Sequence, residues 1–258
     1  MAHKVLLMSP LHNMGSTVAS ALLAQGLTFS NKTVTLLFTQ AESLLPSYFG
    51  IQSAADPTRS VMQIVKLIDN GAISDKDILD YTYSLAKNCS LLNVADKSLT
   101  DKDRTQVVTH VYNRSATNIV VVDNSDDLET NFSRTLIEES DTIFIVIQPT
   151  AKCFQRLKLW VQNPILKDNP NVYVIVNCYN EVIFAARNMA KHIGFPANRV
   201  CKIHYNPWIA KCCFSGTLQT VLPLAKDLDP RVANLSNDIK ELQQCIDGAI
   251  IMQSKKGF

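Results

Sequence analysis

Five short runs rich in β-branched residues recur along the chain, at 5–8, 34–38, 119–123, 143–147 and 172–177, and nothing else in the sequence constrains the fold as much. They read as buried strands, because a strand covered on both faces has no polar side to show. Stretches with helical periodicity separate several of them, at 15–29, 103–113, 154–162 and 182–193. This alternation predicts an α/β architecture, a doubly wound, mostly parallel sheet with helices on both faces. A sixth strand is expected at 199–205. The segment 43–102 reads as an excursion with helices at 60–69 and 75–87 and a short strand near 91–94. A last helix, 231–252, carries Leu235, Ile239, Leu242, Ile246 and Ile250 at helical spacing, enough to dock on the sheet. Residues 1–258 read as a single domain.

In open sheets of this kind ligands sit beyond the carboxyl ends of the strands. The candidates are therefore residues 10–17, 39–43, 123–127, 148–152, 177–181 and 205–208. The first follows an apolar strand and leads into an amphipathic helix, in the sequence KVLLMSPLHNMGSTVAS from Lys4 to Ser20. In a Walker A loop, backbone N–H groups cradle the phosphates. A lysine just before the Thr neutralises the β and γ oxygens, and the Thr hydroxyl holds Mg²⁺. Here the order is Gly15-Ser16-Thr17, so the Thr is in place and a serine stands at the lysine position.

Composition narrows the class. A length of 258 residues with 47% apolar content suffices for one sizeable core. A net charge of +2 is too mild for a dedicated nucleic-acid protein. The seven cysteines (Cys89, Cys153, Cys178, Cys201, Cys212, Cys213 and Cys245) include no CxxC pair, which suits reduced thiols in a cytosolic protein and argues against zinc. The first apolar run is too short for a signal-peptide core. No run reaches the eighteen or so residues of a membrane span, so no integral membrane segment is expected, and the expected location is the cytoplasm.

Further pieces follow in order: NIVVVDNS at 118–125, SDTIFIVIQPT at 140–150, VIVN ending at Asn177, and KIHYNP at 202–207. In order and spacing, along essentially the whole chain, they resemble the ParA/MinD group of deviant-Walker ATPases. Within that group they resemble the TadZ/CpaE-type members, which place secretion or pilus machinery. The resemblance implies a P-loop NTPase-like fold of MinD/ParA type. The family's KGGxGKT pattern falls on Leu11 to Thr17, with Leu11 replacing the signature lysine that reaches across the dimer and Ser16 replacing the in-loop lysine. Its DxDPQ-like segment falls on Phe38-Thr39-Gln40-Ala41-Glu42, where both aspartates are gone, and 47–51 resembles the pattern downstream. Asp123 stands in the metal-facing position, Asn177 at the residue that contacts adenine, and His204 where the family has a proline.

The implied site is a degenerate nucleotide pocket of Asn13, Gly15, Ser16, Thr17 and Asn177, with Thr17 and Asp123 as metal ligands only if Mg²⁺ binds. Losing two charge-assisted phosphate contacts weakens binding by roughly 3 to 6 kcal/mol. No catalytic residue and no cofactor are therefore expected, ATP with Mg²⁺ would bind weakly, and hydrolysis is expected to be lost. The resemblance implies a dimeric scaffold or positioning factor for a pilus, secretion or conjugation machinery. Such a protein would be a homodimer with a partner in a membrane-associated apparatus, recruited to the membrane or cell pole. The alternatives are an ATP-binding switch of the same fold and a DNA-associated partition protein.

Each residue also has a plainer reading. Gly15 and Thr17 can serve as a turn glycine and a helix start, His12 as an exposed loop residue, Asp123 as a capping acid, and Asn177 as a strand-end residue that bonds the adjoining loop. Asp126, Asp127 and Glu129 read as a solvated loop and first helical turn rather than a metal cluster. Lys152, Arg156, Lys158, Arg187, Lys191 and His192 form a DNA face only if they share one surface. The aromatic, cysteine-rich connection 205–214 reads as an interaction surface or as core under the last helix. Lys255, Lys256 and Phe258 read as a frayed terminus rather than a membrane tail.

Overall fold

The computed structural model describes residues 2–40, 43–51, 60–74, 77–94, 96, 98–167, 169–182, 186–227 and 229–256. The chain runs β1 (His3–Met8), α1 (Ser16–Thr28), β2 (Val34–Phe38), α2 (Leu45–Tyr48), α3 (Val61–Asp69), α4 (Asp77–Asp80), β3 (Tyr83–Ala86) and β4 (Cys89–Asn93). It continues with α5 (Asp101–Arg114), β5 (Ile119–Asn124), α6 (Asn131–Glu139), β6 (Thr142–Ile147), α7 (Ala151–Val161), α8 (Pro164–Lys167) and β7 (Val172–Tyr179). The last elements are α9 (Ala186–Ile193), β8 (Val200–His204), α10 (Pro207–Ser215), α11 (Val221–Lys226) and α12 (Leu235–Lys256).

The strands form one sheet in the order β3-β4-β2-β5-β1-β6-β7-β8, parallel throughout except where β3 meets β4. Strand alternation sends Val5, Leu7, Val121 and Phe144 to the face covered by α1 and α12. It sends Leu6, Met8, Val120 and Ile145 to the face covered by α3, α5, α6, α7 and α9. The expected doubly wound α/β sheet is therefore present, and β5 is central in it, placing Asp123 opposite both Leu7 and Phe38.

Helix α1 is composed largely of Ala and Leu and is buried from Ala19 to Leu27, pressed between the sheet and α12. Its lack of side chain at Gly26 makes that sandwich possible, since a Cβ there would stand 2.3 Å from Ile239 Cγ2. Gln243 Nε2 then donates to the Gly26 carbonyl at 2.7 Å.

The structure differs from the sequence reading in three places. Of the helix expected at 75–87, only the single turn α4 forms, residues 75–76 lie outside the described residues, and Tyr83–Ala86 is a strand. Tyr83 and Leu85 turn inward while Ser84 and Ala86 face out, a period of two that pairing with β4 rewards. The connection 205–214 is mostly helix α10, with Pro207 in its first turn and Asn206 Oδ1 accepting from the Trp208 N–H at 2.8 Å. The last helix starts at Leu235, after a 3₁₀ turn at Pro230–Val232, and runs through Lys256. The side chains of 253–256 and residues 257–258, including Phe258, lie outside the described residues. Among the described residues no helix is long and apolar enough to cross a membrane.

Candidate functional site

Strand β1 ends beside β5 and β6, and residues 9–15 carry the chain from it into α1. Asn13 and Gly15 both adopt left-handed backbone, with φ of 61° and 86°. Gly15 is required twice over, because a Cβ on it would also lie 2.0 Å from Asn177 Nδ2. That amide donates to the Met14 carbonyl at 2.9 Å, and Gln148 Nε2 donates to the Asn13 carbonyl at 3.1 Å. Asn177 reaches the loop because β7 breaks register with β8 between Val176 and Tyr179, where Cys178 takes a φ of 54°. Such a bulge re-aims a side chain at the cost of local strain.

Gly15 caps α1 without a side-chain hydrogen bond, so the first N–H groups of the helix, from Ser16 onward, have no intrahelical acceptor and point at the loop. Behind them stands Asp123, 2% exposed. Burial pushes its carboxyl up to about 6, and the hydroxyls of Thr17, Ser16 and Ser20 pull it part of the way back. Among the described residues, the side chains that act on it most are these hydroxyls. Oδ1 of the carboxyl is buried with no hydrogen-bond partner among the described residues, and Ser20 Oγ also donates to the Ser16 carbonyl at 2.9 Å.

This arrangement half fits a magnesium nucleotide. The Thr17 hydroxyl and the unpartnered, buried Asp123 Oδ1 are the kind of hard donors Mg²⁺ takes, and the helix start is suited to an anion. A phosphate there would find Ser16 where a lysine would stand, and the loop from Ser9 to Thr17 contains no lysine or arginine.

The segments after β2 and β5 are joined from behind by a residue the sequence reading did not single out, Arg104 of α5. Its guanidinium donates to the Thr39 carbonyl at 3.3 Å and to Asp101 at 3.0 Å, pairs closely with Asp126, and lies 4.3 Å from the centre of the Phe132 ring. Thr39 Oγ1 in turn bonds Asn124 Oδ1 at 3.1 Å, and Asn124 Nδ2 donates to Ser133 Oγ at 2.9 Å. The acidic residues after β5 thus serve three different arginines, since Asp127 faces Arg156 at 3.5 Å and Glu129 holds Arg134 at 2.7 Å. All three precede α6, whose cap is Thr130, so none lies in its first turn. Among the described residues no group of three or more His, Cys, Asp and Glu side chains can hold a metal.

Beside the loop, a cavity of ≈ 310 Å³ is lined by Val18, Leu22, Tyr48, Asn177, Tyr205 and Cys213. His204 on its rim is fixed by Asp238, which accepts from Nδ1 at 2.8 Å and from the His204 backbone N–H at 2.9 Å. His12 is exposed, as the plainer reading had it. Lys152 and Lys158 on α7 and Lys191 and His192 on α9 are exposed on helices brought together where His192 meets Phe154. The Arg187 side chain lies outside the described residues. Gln148 falls in the candidate segment 148–152; besides Arg104, sequence reasoning missed Ser20. Ser20 had a signal, standing one helical turn beyond Ser16 and Thr17 on the same face.

A central parallel strand, a tight glycine turn into a helix, and an acid on the neighbouring strand define the class: a doubly wound, mostly parallel α/β fold. Comparison with solved structures narrows it to the fold of the ParA/MinD ATPases. A ParA family ATPase from Chlorobium tepidum superposes with a TM-score of 0.72 at 13% identity, over 97% of this chain and 99% of that one. MinD in the MinC:MinD cell division complex of Aquifex aeolicus gives 0.72 at 14% identity, over 94% and 96%. A plasmid partition protein from Borrelia burgdorferi bound to AMPPNP gives 0.67 at 13%, over 98% and 100%. No protein-family model matches the sequence, and no curated protein does. At these identities the likeness is one of fold.

Proposed function

We propose that this chain is a catalytically degenerate ParA/MinD-like protein, a pseudo-ATPase that acts by binding, as a dimeric scaffold or positioning factor. Asp123 carries the reading: a buried carboxyl, lifted to about 6, on which, among the described residues, hydroxyls act most. Phosphoryl transfer is catalysed by positioning and by charge laid out in advance, and the side chains seen to bond this loop, Asn177 and Gln148, are neutral. The Arg104 clip supports the same reading. In nucleotide switches the corresponding loops are ordered by the γ-phosphate and its Mg²⁺, whereas here the chain's own guanidinium joins them.

The partner we infer is a second copy of this chain. Leu44, Val182 and Tyr205, all exposed, follow β2, β7 and β8, and Phe214 of α10 is 96% exposed. They project from the segments beyond the strand ends that also bear the loop, a face a second copy would cover. A further protein partner is supported by the Aquifex MinD, solved with MinC. The apparatus, a pilus, secretion or conjugation machinery, rests on the sequence resemblance, and with it a cytoplasmic protein recruited to the membrane or cell pole through that partner.

Phosphate release by purified protein with ATP and Mg²⁺ tests the core of this reading. The expected outcome is none above buffer; sustained release that Thr17→Ala or Asp123→Ala abolishes would sink it. The cavity beside Asn177 and the unpartnered Oδ1 of Asp123 favour a second reading, an ATP-binding switch. Calorimetry separates the two: the scaffold gives no heat or a millimolar Kd, the switch a micromolar one. A DNA-associated partition role would show instead as a mobility shift that falls steeply with salt.

A further inference from the structure

Two cysteines far from the loop are arranged for chemistry that the proposed function does not use. Cys201, near the start of β8 and 4% exposed, points at the face covered by α12. Cys245, half-buried on α12, meets it with the two Sγ atoms 3.4 Å apart. Both are free thiols, and they line one surface cavity of ≈ 360 Å³ together with Tyr173, Asn198, Glu241 and Gln244. A small reagent therefore has access to the pair from solvent. The contact also divides the labour between them: the Cys201 thiol bonding to Cys245 holds the Cys245 thiol low, while the same bond and burial hold Cys201 high. The more accessible sulfur is thus the better thiolate. By contrast, Cys153 faces Met14 rather than a second thiol.

We propose that Cys201 and Cys245 form a redox-active dithiol that closes to a disulfide by exchange with a low-molecular-weight disulfide, fastening α12 to the edge strand β8. The Cys245 thiolate attacks one sulfur of the reagent, whose S–S bond breaks and releases one thiolate, leaving a mixed disulfide on Cys245. Cys201 then gives its proton to solvent and attacks Cys245 Sγ, expelling the second thiolate. Two protein thiols lose two electrons and two protons, and one disulfide becomes two thiols. The sulfurs must close by about 1.4 Å to reach bonding distance, a movement within reach of side-chain rotation at the half-buried Cys245. The bridge would span 44 residues, including α10 and α11, and would fix the helix that backs α1 at Gly26.

Reduced protein incubated with oxidised glutathione, followed by intact mass, non-reducing peptide mapping and thermal melting, tests the proposal. The expected product is lighter by two hydrogens, gives one cross-linked peptide pair containing Cys201 and Cys245, and melts roughly 5 °C or more higher. Dithiothreitol reverses all three changes. Cys245→Ser gives no bridge and no shift, and should that variant fold poorly, the wild-type peptide map decides alone. A glutathione adduct that persists on Cys245, a bridge between other cysteines, unreacted thiols, or a bridge that leaves the melting temperature unchanged overturns it.

Discussion

Asp123 holds a carboxyl whose ordinary value of 3.8 rises to about 6 on folding, so the folded state binds its proton more tightly than the unfolded chain. The sign follows directly. Below pH 3.8 the group is protonated in both states and costs nothing, and stability then falls as pH rises toward 6, above which the full penalty of about 3 kcal/mol stands. Asp123→Asn is expected to raise stability at pH 7 by roughly 1 to 3 kcal/mol and to flatten the fall between pH 4 and 6. Denaturant melts of both proteins across that range check it, and a variant less stable than wild type at pH 7 would contradict the geometry. A second prediction concerns Gly15, where any side chain meets both an adverse φ and the Asn177 amide. Gly15→Ala is expected to cost about 2 to 3 kcal/mol, and adding Asn177→Gly should return the steric share while leaving about 1 kcal/mol from the backbone. Strict additivity of the two substitutions would argue against their contact.

Among the elements, the arginine clip and the α1–α12 crossing make separate demands. Arg104→Met leaves the Thr39 carbonyl and Asp126 without their donor, at an expected cost of about 2 to 3 kcal/mol. Amide exchange should quicken after β2 and β5 and stay slow in β1, a pattern that hydrogen-exchange mass spectrometry resolves. Gly26→Val forces α12 away from α1 and should cost about 1 to 3 kcal/mol, more than the helix propensity it gains.

The parallel strands could be read from the sequence because burial on both faces leaves them no polar positions. β3 could not, since Tyr83 to Ala86 carries only two inward residues among helix-compatible neighbours, and β4, a tertiary partner, decides it. For α10 a signal was present, Asn206 followed by Pro207, and the aromatic content obscured it. At the site, Gly15, Ser16 and Thr17 belong to one turn, and Asp123 joins them because β5 pairs in register with β1, Asp123 opposite Leu7. Arg104 finds Asp126 across 22 residues with no periodicity to announce it.

At the scale of the molecule, the prediction is assembly without nucleotide. Sedimentation of the reduced protein at tens of micromolar, with no ATP, is expected to show a dimer, and Phe214→Ser with Tyr205→Ser should shift it toward monomer without lowering the melting temperature by more than a few degrees. A strict monomer at high concentration counts against the scaffold reading. The geometry of such a dimer is limited by the antiparallel hairpin at one margin of the sheet. β3 has four residues and shifts register between Ser84 and Ala86, so a neighbouring chain would find an interrupted row of backbone donors and acceptors there. That margin acts as a stop: at this edge, copies of this protein are discouraged from lengthening one another's sheets into a fibre, as the proposed closed pair requires.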